Sequence, residues 1–168
     1  WEVILVGARN EARRRPDEIE DCARFPRGQG WSKWLTDFWG WGLSADGCAL
    51  VPYRDETGSL VGIRLRRPGS DYFAIEGSRF RVLYGAWHPR DSLPALLCEG
   101  ETDAVYARAH TPPGTYKVYA VPGAGFVPTP ESMAPLLHRH VFVCFAGDDA
   151  GRSGAQRWVT ALHRAGSR

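Results

Sequence analysis

ALLCEGETDA, residues 95–104, decides how the second half of this chain folds. Residues 95–98 form a short apolar run of strand character. The pair Glu99-Gly100 closes that run ahead of a helical segment, 101–110. Working outward, 116–121 reads as strand, 130–138 as helix, 141–145 as strand and 152–165 as helix. Such a series calls for an α/β fold, a parallel sheet with helices on both faces. Ligands of open parallel sheets collect outside the carboxyl ends of the strands. Two acidic, glycine-bearing segments stand there: Glu99 to Asp103 after the first strand, and Gly147-Asp148-Asp149-Ala150-Gly151-Arg152 after the third.

The first half follows another pattern. Residues 17–42 are helical in flavour and hold Trp31, Trp34, Phe38, Trp39 and Trp41, which the helical spacing assigns to a core. Residues 49–53 and 60–66 flank the acidic, Gly-containing turn 55–58 and predict a β-hairpin. Segments 72–75 and 80–84 extend it into a small antiparallel sheet. Arg64, Arg66, Arg67, Arg79 and Arg81 belong to it, and strand alternation puts Arg64 and Arg66 on one face. Such a face suits phosphates, although arginines on a solvated sheet face give the same pattern. The polar, Pro-containing segment 85–93 marks a boundary. The expected division is a small mixed α+β basic subdomain over 1–90 and an α/β domain over 91–168.

Composition narrows the class. With 168 residues, 43% hydrophobic and 24% charged, the chain is one that packs rather than stays disordered. Its longest apolar runs fall far short of the roughly 20 residues of a bilayer helix, so no membrane partner is expected. Residues 1–90 carry 14 basic and 12 acidic side chains and 91–168 carry 7 of each, so the net charge of +2 does not argue for a polyanionic partner; the local arginine patch does. Cys22, Cys48, Cys98 and Cys144 are widely spaced, which excludes a zinc site within this chain and predicts reduced thiols in an intracellular, cytoplasmic setting. Cys98 and Cys144 are expected as small buried hydrophobes. The start on Trp1 without Met suggests a piece of a longer protein.

Carboxylates gathered at one edge repel one another, and a divalent hard cation commonly offsets that cost. Gly100, Gly147 and Gly151 let backbone and phosphate approach closely. Asp149 alone would serve equally well at a helix N-terminus.

EGETDA at 99–104, followed by a strand running into GDDAGR at 147–152, resembles the Toprim domain of bacterial-type primases, topoisomerases and some nucleases. Upstream, LVGIRLRR at 60–67, DYFAIEGS at 71–78 and RVLYG at 81–85 resemble the stretch before Toprim in the primase half of phage primase-helicases. The resemblance covers about residues 49–166. It implies a primase core, which makes RNA primers from ribonucleoside triphosphates on a single-stranded DNA template in a bacterial or phage-infected cell. A replicative helicase, in the same or a separate chain, is the implied partner.

By the same resemblance Glu99 is the general base or acid of nucleotidyl transfer. Asp103, Asp148 and, less closely matched, Asp149 join Glu99 around Mg²⁺ or Mn²⁺. Arg64 and Arg66, with Arg67, Gly100, Gly147, Gly151 and Arg152, contact template or nucleotide phosphates. Two departures stand out. Ala146 occupies the first aspartate position of the family's Asp-x-Asp motif, and alanine ligates no cation, so an inactivated or weakened primase is expected. The chain also ends at Arg168, ahead of a further strand and acidic residue, so the Toprim domain is expected to be truncated. A Toprim nuclease and a catalytically dead nucleic-acid-binding module are the alternatives.

Overall fold

The computed structural model describes residues 1–69, 72–87 and 92–167. His88, Arg90 and Asp71 lie outside them. The chain divides into two units, Trp1–Tyr53 with Ser59–Arg79, and Arg54–Gly58 with Phe80–Arg168. The division thus falls at 79/80 rather than at 90, and the hairpin tip goes with the second unit.

The first unit begins with α1 (Glu2–Arg14) and α2 (Pro16–Ala23). Pro16 in the first turn needs no backbone donor there, and Asp17 and Glu18 complement the positive end of the helix. Next come α3 (Trp31–Lys33) and a π-helical turn, Trp34–Phe38. A four-stranded sheet follows, in the order β1 (Gly42–Leu43), β2 (Ala49–Arg54), β3 (Leu60–Arg66) and β4 (Tyr72–Ala74). Its β1–β2 and β3–β4 pairs are antiparallel. Leu5 and Ala8 of α1 pack with Leu50 and Ile63 of the sheet. A side chain at Gly42 would lie 2.5 Å from the Ala8 Cβ, so Gly42 and Ala8 let α1 cross β1 closely.

The second unit carries the predicted parallel sheet, in the order β6 (Lys117–Ala120), β5 (Ala95–Cys98), β7 (Val141–Cys144). Between and after the strands stand α4 (Glu101–His110), α5 (Pro130–Met133) with a 3₁₀ turn at Ala134–Leu136, and α6 (Asp149–Arg164). Ala95, Leu97 and Tyr119 share one face with Leu136 of the 3₁₀ turn and Trp158 and Leu162 of α6. On α4, which lies along β5 and β6, Ala104 and Val105 are buried.

Four expectations need correction. Phe80–Tyr84 is not a strand of the antiparallel sheet: Tyr84 exchanges hydrogen bonds of 2.9 and 3.0 Å with Ala120 at the edge of β6. Gly85 then turns at φ +89°, where a Cβ would lie 2.7 Å from the Val118 carbonyl oxygen. Trp34 and Phe38 are not core, being 36% and 37% exposed while Trp31, Trp39 and Trp41 are buried. The wide turn closed by Trp39 N–H on Trp34 O displaces them from the buried face that ordinary helical spacing would give them. Cys144 is exposed, since β7 is an edge strand with one uncovered face. Finally, α6 starts at Asp149 rather than 152, because Asp148 caps it.

Candidate functional site

At the carboxyl edge of the second unit's sheet, β5 ends at Cys98, Glu99 follows it directly, and α4 begins at Glu101 with Gly100 as its N-cap. Register pairs Cys98 with Cys144, so the residues after β7 emerge beside Glu99. The Ala146 N–H donates to Glu99 Oε2 at 2.9 Å. Asp148 caps α6, accepting from the Gly151 N–H at 2.7 Å. Arg152 donates to the Gly147 carbonyl and to the Asp149 carboxylate, clamping the loop. Asp103, exposed in the first turn of α4, leans over Gly100. Burial, with the charge of Asp103 next in order, pushes the Cys98 thiol up to about 12, so it stays protonated.

The strand order places this edge at a reversal, since β6 and β7 flank β5 on opposite sides. Crevices of that kind hold ligands in open parallel sheets. Two helices, α4 and α6, start here, and the positive ends of their dipoles offset part of the carboxylate repulsion. Glu99 is half-buried, and the loop bond holds one of its two carboxylate oxygens.

The expected glycine roles separate. Nothing lies within 4 Å of where a Cβ would stand on Gly147, so the space above it is open to a ligand. Gly151 is buried, and a Cβ there would lie 2.2 Å from the Ala146 carbonyl oxygen. Its glycine requirement is internal packing. Glu101, quoted with the motif but given no role, is wholly buried in α4. Only its place in the first turn, ahead of the buried Ala104 and Val105, hinted at that.

Among the described residues, no three His, Cys, Asp or Glu side chains form a group able to hold a metal ion. Glu99, Asp148 and Asp149 are each engaged by a hydrogen bond or ion pair within the loop, and position 146 contributes only backbone. The residues present therefore do not fit an ion held by protein ligands alone.

Three arginines of the first unit, Arg64, Arg66 and Arg67, stand on β3 and just beyond it. Arg66, expected to face phosphates with Arg64, is buried at 4% exposure and donates to the Tyr72 hydroxyl at 2.6 Å. Cross-strand pairing with Tyr72 draws it in. Arg64 is half-buried, and the exposed Arg67 donates to Cys48 Sγ at 3.1 Å and pairs with Asp46.

No family model matches the chain, and no curated protein matches its sequence. Solved structures do. The primase fragment of the bacteriophage T7 primase-helicase aligns at TM-score 0.61 and 19% identity over 77% of this chain and 56% of that one. This is the fold of a DNA primase catalytic core. The zinc-binding and RNA polymerase domains of the Aquifex aeolicus primase align at TM-score 0.57 and 23% identity, over 71% of this chain and 32% of that one. A DnaG primase catalytic domain bound to single-stranded DNA gives TM-score 0.55 and 17% identity, over 90% and 66%. The chain thus spans 56% of the T7 fragment and a third of the Aquifex structure. The primase-core fold takes in both the antiparallel sheet and the parallel one.

Proposed function

We propose that this chain is the core of a DNA primase, joining ribonucleotides on a single-stranded DNA template. One observation carries the reading: the likeness to primase cores extends over 71% to 90% of the chain, beyond the parallel sheet alone. Single-stranded DNA in one of the similar structures and an RNA/DNA hybrid in another support this substrate class. In this reading Glu99, at the carboxyl edge, transfers the proton, and Arg64 and Arg67 meet template phosphates. Mg²⁺ or Mn²⁺ belongs to the proposal as an ion brought by nucleotide phosphates, for which one or two carboxylates suffice. A helicase in the same or another chain, and a cytoplasmic setting, fit the same reading. Among the described residues no helix is long and apolar enough to cross a membrane.

A second reading, a nucleic-acid-binding module without catalysis, is favoured by Ala146, an alanine where the resemblance expects a metal-binding aspartate. Template-dependent incorporation of labelled ribonucleotides, with Mg²⁺ or Mn²⁺, separates the two. Short RNA from the chain or its Ala146→Asp form supports the primase. Binding of single-stranded DNA by both forms, with no RNA from either, supports the module.

A further inference from the structure

Between Gly30 and Gly42 the chain carries five large aromatic rings, of which Trp31, Trp39 and Trp41 are buried. The π turn leaves Trp34 and Phe38 outside, and their rings meet edge to face, 5.0 Å apart and inclined at 60°. Turns of this kind are frequent at functional sites. Two large rings kept partly in water forgo a hydrophobic gain that a flat ligand lying on them would recover. Together with Gln29, Gly30, Lys33 and Asp37 they wall an open recess of about 500 Å³, within the range of small-ligand pockets.

The recess is held in shape from behind. Glu20, 1% exposed on α2, accepts from the Gly28 and Ser32 N–H groups at 2.9 Å each, so a buried carboxylate fixes the loop that carries Gln29 and Gly30. Trp31 stacks on Phe25 at 4.4 Å, and Thr36 Oγ1 donates to the Ser32 carbonyl at 2.8 Å. A ligand entering such a wall has little of it left to order. The charge around it is positive on balance: Arg13 bonds Asp37 at 2.8 Å and Lys33 acts on the same carboxylate, so two cations face one anion. Exposed rings beside a surplus cation suit single-stranded nucleic acid, whose bases stack and whose phosphates pair.

We propose that this recess takes one base of single-stranded nucleic acid, stacked on Trp34, with the adjoining phosphate at Lys33. The site rests on the nucleic-acid-binding reading given above and adds to the arginines of β3 a contact that feels the base.

The test is equilibrium binding of two labelled strands of equal length, an oligodeoxythymidylate and its abasic counterpart, to the whole chain across a salt series. Trp34→Leu should weaken binding of the thymidylate about five- to tenfold and leave the abasic strand unchanged, because only the base is lost from the contact. Trp34→Phe, which keeps a ring, should retain most of the affinity. Lys33→Ala should weaken both strands and lower the salt slope by about 0.7. Unchanged thymidylate binding in Trp34→Leu would overturn the proposal and leave the recess to a protein partner. Equal losses on both strands would overturn it too, since the ring would then act through the fold. Should Trp34→Leu fold poorly by circular dichroism, Phe38→Leu takes its place, with a smaller loss expected on the thymidylate alone. If the parent chain binds neither strand, the nucleic-acid reading itself fails; if it binds and Arg64→Ala weakens it while the Trp34 variants do not, only the recess fails.

Discussion

Glu99 and Ala146, 47 residues apart in sequence, are joined by a 2.9 Å hydrogen bond from the Ala146 N–H to Glu99 Oε2. The bond fixes the carboxylate against the β7–α6 loop through main chain alone, so a side chain can be added at 146 without deleting it. Ala146→Asp is expected to raise the affinity for Mn²⁺, measured by calorimetry without nucleotide, by about tenfold or more. Equal affinity in both forms would show that position 146 does not face the ion.

Two glycines of the same loop should respond oppositely to alanine. Gly151→Ala forces a methyl group into the Ala146 carbonyl and is expected to cost about 1–3 kcal/mol in urea unfolding. Gly147→Ala meets nothing within 4 Å and should stay within about 0.5 kcal/mol of the parent.

Asp148 has a structural duty that has to be separated from any chemical one. Its carboxylate caps α6 through the Gly151 N–H. Asp148→Ala is expected to lose about 1 kcal/mol of stability, while Asp148→Asn retains the cap and most of that stability. A loss of activity in Asp148→Asn with normal unfolding would then belong to the charge.

Low pH should act on the first unit through Asp21, Asp37 and Asp46. Hydrogen bonds from Arg27, Arg13 and Ser44 respectively hold these carboxyls below their ordinary range. A lowered folded-state pKa gives stability that is present above the unfolded value, about 4, and lost as pH falls through the folded one. Near-ultraviolet circular dichroism of the buried Trp39 and Trp41 should therefore hold above about pH 4 and decay below it. Arg13→Ala and Arg27→Ala should flatten that decay. The pairs are exposed, so added salt should shrink the difference.

The parallel sheet was legible because its strands are short apolar runs, each ending in turn chemistry, and the acidic edge followed from strand direction. α1 was not legible. Its buried face consists of Leu5, Ala8 and Ala12, two of them alanines and one of those, Ala8, set close against Gly42, while Val3, Ile4 and Val6 are exposed. Hydrophobic periodicity therefore points the wrong way. Trp34 and Phe38 escaped because a π turn breaks the spacing on which the reading depends. Cys144 escaped because alternation tells which residues share a face but not whether that face is covered. On β3 the pairing of Arg64 with Arg66 was visible in the sequence, but the burial of Arg66 depended on Tyr72 across the sheet.

The central strand of the parallel sheet is the first of the three to be made. Ala95 must wait for Lys117 on one side and for Val141 on the other. A chain emerging from the ribosome thus exposes both edges of an apolar strand until residues 117–120 follow, and one edge until residues near 144 have followed. Contacts so distant in sequence slow folding, because the loops between them must be closed first. Glu99 receives its anchor only when residue 146 arrives, so the carboxyl edge is assembled last. Until then, that unpaired strand is where a nascent chain is most open to aggregation and to chaperone binding.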